Sequence, residues 1–168
     1  DVTIYTDSKY VADAVEKGAT ILYGGQRRPD VGPLFFEPTI LIDTDHRMDV
    51  MREETFGPVV PVMKVADVDE AVRLANDSAY GLSASIYSKD LALAERVATR
   101  LECGDVGINR TQMVMATPSL PMGGRKNSGI GRRGGPEGLR RFVTTQSVLV
   151  DKSIGAKPSL TFVEPLLY

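Results

Sequence analysis

The residues with the most chemistry in this chain are Glu53-Glu54-Thr55-Phe56-Gly57-Pro58, set between a polar loop and the apolar run Val59-Val60-Pro61-Val62-Met63. An acidic pair, an aromatic ring and a Gly-Pro turn at the mouth of a strand place a carboxylate and a ring face at a loop edge, where cofactors dock. The same residues also read as an acidic loop entering a strand, with Phe56 in the core. The one cysteine, Cys103, is the sole thiol. A reactive thiolate needs a helix N-terminus, a cation or a base beside it. Cys103 instead follows a predicted helix and lies near Glu102 and Asp105, where the helix dipole and both acids disfavour the thiolate. Gly129-Ile130-Gly131-Arg132-Arg133-Gly134 spells G-x-G-x-x-G. A dinucleotide fingerprint needs a strand feeding into it, and Gly123–Ser128 is polar and turn-forming, so a glycine-rich turn is the simpler reading. The basic run Arg125, Lys126, Arg132, Arg133, Arg140 and Arg141, opposed by Glu137, either grips a phosphate or acidic substrate or is a solvated turn and helix. No residue here is assigned a catalytic role, and no metal-ligating set is read.

These residues have to be positioned by a chain that alternates helix and strand. Residues 8–17 form a short amphipathic helix with Val11, Ala14 and Val15 on one face, closed by Gly18. A strand runs from Ala19 to Leu22, and Gly24-Gly25 turns into a Pro/Gly-marked loop over 26–34. Phe35 to Ile42 reads as a strand that Pro38 confines to an edge or a bulge, and Val59 to Val65 as a buried strand. Asp67 with Glu70 three residues on is a reciprocal capping pattern for a helix with Val68, Ala71, Val72 and Ala75 inward. Leu82 to Tyr87 is a strand, Asp90 caps a helix with Leu91, Ala94, Val97, Ala98 and Leu101 inward, and Asp105 to Ile108 is the next strand. A helix is placed around Pro136 to Phe142. Strands separated by helices of about ten residues predict an α/β fold with a mostly parallel sheet and flanking helices.

Composition narrows the class. The length of 168 residues fits one domain, and 42% hydrophobic residues suffices for a core. A lone cysteine excludes a disulfide framework and fits a reducing, cytoplasmic setting. No apolar run approaches the roughly 18 residues needed to span a bilayer, and no signal peptide is visible, so no membrane partner is expected. A net charge of −2 leaves no nucleic-acid footprint.

The ordered motifs resemble one family. Glu53–Pro58 is similar to the E-E-[ILT]-F-G-P signature of the NAD(P)-dependent aldehyde dehydrogenases. Ala75-Asn76-Asp77-Ser78-Ala79-Tyr80-Gly81-Leu82-Ser83-Ala84 resembles the family's A-N-x-[ST]-x-Y-G-L-x-A, and Leu101–Asn109 its L-x-A-G-x-V-x-[IV]-N. Pro121–Arg132 resembles P-[FM]-G-G-x-K-x-S-G-x-G-R, and Asp13–Thr20 with Gly24-Gly25 the usual lead-in. The likeness covers residues 10–150.

The resemblance implies that Glu54 hydrogen-bonds the nicotinamide ribose, that Phe56 packs by the nicotinamide end, and that Cys103 takes a small packing residue's place. Residues 110–120 would line the aldehyde tunnel. Pro121-Met122 with Gly129–Arg133 is most similar to the succinate-semialdehyde dehydrogenase branch, whose carboxylate-bearing aldehyde would want a hydroxyl or guanidinium. Ser119 and Arg110 are the candidates, against a reading in which Arg110 faces solvent and Met113, Val114 and Met115 merely pack. The family's nucleophilic cysteine, general-base glutamate and dinucleotide-binding half have no counterpart here. The chain, starting at Asp1, therefore resembles a C-terminal portion, expected to be inactive alone and to bind neither NAD nor NADP tightly. Residues 1–141 would be a partial catalytic domain. Residues 142–168 would form an oligomerisation strand and tail, with homo-oligomer contacts through the apolar run 142–150. The alternative is a natural non-catalytic module that pairs with full-length subunits.

Overall fold

Helix α1, Asp7–Glu16, sets Tyr10, Val11 and Ala14 on one face, and all three are buried. Gly18, at φ +107, ends it: the Gly18 N–H donates to the Val15 carbonyl and the Ala19 N–H to that of Ala14, the paired bonds of a left-handed glycine cap. Val15, expected on the inner face, is 44% exposed. It lies one residue, about 100°, beyond Ala14 and so falls outside the stripe that Tyr10 and Val11 share with it. The computed structural model describes residues 7–111, 116–150 and 166–167, in two compact units, Asp1–Ala79 and Tyr80–Tyr168.

In the first unit, strand β1 (Thr20–Tyr23) pairs antiparallel with β2 (Thr39–Ile42), with an irregularity between Ile21 and Tyr23. The loop between them turns at Gly24, φ +72, where any Cβ would overlap the Pro38 carbonyl oxygen. Phe36, placed in a strand by the sequence reading, makes only an isolated bridge to Arg27, because Pro38 denies the segment a ladder donor. Helix α2 (Asp49–Arg52) and the Glu53–Pro58 loop then carry the chain to β3 (Val59–Pro61), which runs parallel to β2. Leu41 and Met48 are fully buried at the centre of a core that includes Tyr10, Val11, Ala14, Ala19, Val50 and Val59. Asp13 fastens α1 to α2: its Oδ2 accepts the Asp49 N–H at 2.9 Å, and its Oδ1 pairs with Lys17 at 2.6 Å. Helix α3 (Val68–Asn76) starts as read, with Asp67 Oδ1 accepting the Glu70 N–H at 2.8 Å and Glu70 Oε2 accepting the Ala66 N–H at 2.7 Å. Val72 is buried on this helix, whereas Val68 and Ala75 are exposed.

In the second unit, β4 (Tyr80–Gly81) leads to β5 (Ser83–Ile86), and helix α4 (Leu91–Ala98) crosses to β6 (Asp105–Ile108), parallel to β5 in register Ser83↔Asp105. Asp90 caps α4 through the Leu93 N–H at 2.9 Å. Strand β7 (Arg125–Lys126) returns antiparallel to β4. Helix α5 (Gly135–Arg140) follows, then β8 (Thr145–Gln146), which pairs antiparallel with β9 (Leu166–Leu167) of the same chain.

The architecture is α/β, but its sheets are mixed rather than mostly parallel. The parallel pairs are two whose crossover carries a helix, β2 to β3 through α2 and β5 to β6 through α4. The β1–β2 link is a helix-free loop that folds back antiparallel, and β7 returns antiparallel to β4 after the intervening β5, α4 and β6. The expected long strand over 142–150 is confined to the two residues of β8 among the described residues, because the α5 exit bonds, Phe142 to Leu139 and Val143 to Arg140, keep the start of that run coiled.

Candidate functional site

The Glu53–Pro58 loop is built by the crossover from β2. The Glu53 N–H closes α2 on the Asp49 carbonyl at 2.8 Å, the Thr39 N–H donates to Pro58 O at 2.7 Å, and the Val59 N–H to Gly57 O at 2.8 Å. Both ends of the hexapeptide are thereby anchored. Phe56 is 92% exposed, which removes the core reading of its ring. Glu54 is exposed and bonds no described side chain, whereas the Thr55 hydroxyl between them is buried without a partner. A phenyl ring left in water forgoes about 2 kcal/mol of burial, so an exposed ring on an anchored loop is poised for something that covers it. This carboxylate and ring sit at the amino-terminal end of β3, not at the carboxyl edge where open α/β sheets usually bind ligands.

In the second unit the predicted substrate residues lie on either side of the undescribed residues 112–115, where Met113, Val114 and Met115 fall. Arg110 is exposed just beyond Asn109, whose side chain holds the β5 exit by accepting the Ser88 N–H at 2.8 Å and donating to Ser88 O at 2.9 Å. Ser119 is exposed in a segment braced from below. The Gly135 N–H donates to Pro118 O at 2.8 Å, and a Cβ on Gly134 (φ +74) would stand 2.7 Å from Leu120 O.

Met122 and Arg133 form an antiparallel bridge of two backbone bonds, 2.7 and 2.8 Å, which closes the neck of the glycine-rich loop. Inside that neck, Arg132 Nη1 donates to the carbonyls of Gly124 and Gly131, both at 2.9 Å, and the Ser128 hydroxyl accepts the Gly81 N–H at 3.0 Å. No strand leads into G-x-G-x-x-G, since β7 ends at Lys126 in a turn. Arg132 and Ser128 are thus engaged with backbone groups, of the loop itself and of β4.

Cys103 lies beyond α4, which ends at Ala98, earlier than the sequence suggested. Its thiol donates to the Asp105 carbonyl at 3.2 Å, and burial, with the Asp105 charge, pushes it above the ordinary thiol value. That is the opposite of what a nucleophile needs. Burial also pushes Asp105 up against a weaker pull from Arg132, and its Oδ2 is buried without a partner. The sequence set Asp105 beside Cys103 as an acid that disfavours the thiolate, but gave no sign that the cluster is buried. Only the packing of β6 buries it. No metal-holding group of acids, His or Cys occurs among the described residues.

A profile of the aldehyde dehydrogenase family matches residues 5–148, most of the chain. The chain belongs to the aldehyde dehydrogenase family. A putative NADP+ succinate-semialdehyde dehydrogenase of Mycobacterium ulcerans is 45% identical over 162 residues, covering 92% of this chain and 31% of that protein. A probable NADP+ succinate-semialdehyde dehydrogenase of Sinorhizobium fredii is 43% identical over 84% of this chain and 28% of its own length. Among solved structures, an aldehyde dehydrogenase of Mycobacterium tuberculosis complexed with NAD+ superposes with TM-score 0.74 at 36% identity, over 80% of this chain and 28% of the other. A succinate-semialdehyde dehydrogenase of Burkholderia pseudomallei superposes with TM-score 0.70 at 44% identity, over 79% and 27%. This aldehyde dehydrogenase chain thus spans about a third of the length of the curated relatives it matches. No helix among its described residues is long and apolar enough to cross a membrane.

Proposed function

We propose that this chain is the C-terminal part of a cytoplasmic NADP- or NAD-dependent aldehyde dehydrogenase that oxidises an aldehyde, with succinate semialdehyde the favoured substrate, to the carboxylic acid. The observation that carries the reading is the anchored Glu53–Pro58 loop with Phe56 92% exposed, in a chain of this family. Glu54 and Phe56 fit a nicotinamide nucleotide: a free carboxylate to accept from ribose hydroxyls, and an apolar ring to cover the nicotinamide end and exclude water. A nucleotide held by Glu54 and Phe56 would supply a hydride acceptor to the site. Ser119 and Arg110 supply a hydroxyl and a guanidinium to the substrate's far end. Residues 1–141 belong to the catalytic portion, and residues 142–150 pair with a second subunit.

The nucleophile, general base and most of the dinucleotide site would come from the rest of the enzyme. The isolated chain is therefore expected to reduce no NADP+ or NAD+ with any aldehyde, the raised Cys103 thiol being no substitute. In the complete enzyme, Glu54→Gln and Phe56→Ala should each weaken nucleotide binding about ten-fold or more, read by titration of nucleotide fluorescence. Unchanged binding in both variants would remove these residues from the cofactor site.

A further inference from the structure

Asp105 opens β6 and is held there through its backbone. Its N–H donates to Leu82 O at 3.2 Å, and its carbonyl accepts the Cys103 thiol at 3.2 Å. One residue back, Gly104 lies so close to the glycine-rich loop that a Cβ there would overlap the Gly123 carbonyl oxygen. The start of β6 and that loop therefore meet backbone to backbone, with Asp105 at the joint. Its carboxyl group is the exception to this bonding: Oδ2 is buried with no hydrogen-bond partner. Across the joint Arg132, whose Nη1 is spent on the Gly124 and Gly131 carbonyls, pulls on the carboxyl through space. Ser83 stands opposite on β5 and is uncharged. Cys103 shares the segment, and the Arg125 charge acts on that thiol. Among the described residues no charge on α4, which packs against β6, acts on Asp105. An ionised carboxylate buried without a partner is costly, whereas the neutral acid keeps a proton with which to bond.

We propose that Asp105 makes the seat of the glycine-rich loop on β6 proton-sensitive, firm while the carboxyl is neutral and loosened when it ionises. The carboxylate has two ways to recover solvation: water enters beside Oδ2, or the side chain swings out. Either parts β6 from the loop, because the contact of Gly104 with Gly123 is backbone on both sides and has no slack. The sign follows from burial, which outweighs the Arg132 charge and lifts the carboxyl above its ordinary 3.8. A group raised in this way stabilises the fold fully below its unfolded value and loses that contribution as pH rises through the folded one. The loosening reaches the segment bearing Ser119, since Met122 and Arg133 close the loop's neck and the Gly135 N–H holds Pro118 O. It holds whichever aldehyde the enzyme takes.

The test is hydrogen exchange on the complete enzyme, read by mass spectrometry over residues 120–134 after correction for intrinsic rates, with the β2 segment as internal reference. Protection of 120–134 should fall about three- to ten-fold between about pH 5 and about pH 8, one unit of carboxyl shift being about ten-fold. Asp105→Asn, neutral at every pH and nearly the same shape, should keep the higher protection throughout. Parent protection that does not change relative to β2 overturns the proposal. So does a dependence that survives in Asp105→Asn, since another group would then be its source. Failure of Asp105→Asn to fold counts against it equally, because the neutral side chain is the one held to seat the loop.

Discussion

Asp13 serves two helices at once. Its Oδ2 takes the first N–H of α2 while its Oδ1 pairs with Lys17, which also reaches the Arg47 carbonyl and Asp49, each at 3.1 Å. Partial burial pushes the Asp13 carboxyl up, but the Lys17 and Asp49 bonds pull it further down, so it ends below its ordinary 3.8. A carboxyl whose folded value is depressed stabilises the fold above its unfolded value and loses that contribution as pH falls through the folded one. Asp13→Ala should therefore cost about 1 kcal/mol near neutral pH, as lost helix caps do. The difference from the parent chain should shrink as pH drops below 3.8 in urea titrations. A gap that persists undiminished at low pH would mean the side chain acts by packing. At this scale the sequence gave Cys103 its acidic neighbour Asp105 but left the exposure of Phe56 and the burial of Cys103 open. Exposure separated the two readings of Phe56, and burial beside Asp105 gave Cys103 its raised value.

Among the elements, helix starts were the most legible features, because a cap is a local bond between residues three apart. Asp67 and Asp90 both accept the N–H that their spacing predicts. Where pairing joins distant segments, local pattern was silent. The approach of β6 to the glycine-rich loop is the sharpest instance: a Cβ on Gly104 would overlap the Gly123 carbonyl oxygen and come within 2.9 Å of Leu82 O. Both contacts are with backbone, which has little room to yield. Gly104→Ala should destabilise the second unit by about 3 kcal/mol and expose its amides to hydrogen exchange, with Tyr10 and Leu41 in the first unit retaining protection. Wild-type exchange throughout would show that this close approach can relax. The mixed sheet has the same origin, since antiparallel returns such as β4–β7 join residues more than 40 apart in the chain.

Over the whole molecule, large apolar side chains outnumber the places where they are buried. Among the described residues, Ala94 is the only buried hydrophobic of the second unit, while Leu139, Phe142, Val148, Leu149 and Val150 are all exposed there. A two-stranded parallel pair such as β5–β6 needs cover on both faces to be stable, and this unit contributes little of its own. A covering surface from the rest of the enzyme or from a second subunit is the physical expectation. Leu149, 80% exposed beside β8, tests the latter. Val148→Asp with Leu149→Asp should shift the complete enzyme to a smaller species in sedimentation, and an unchanged mass would place the subunit contact elsewhere. The chain's periodicity, caps and turns, and the order of its motifs, determined the positions of α1, α3, α4 and α5, the α/β class and the family, because all of these are written in residues close together in sequence. The strand directions, the exposure of Phe56, the burial of Asp105 and the Met122–Arg133 bridge were decided only by tertiary structure. Each depends on which distant backbone lies alongside, and side-chain spacing carries no record of that.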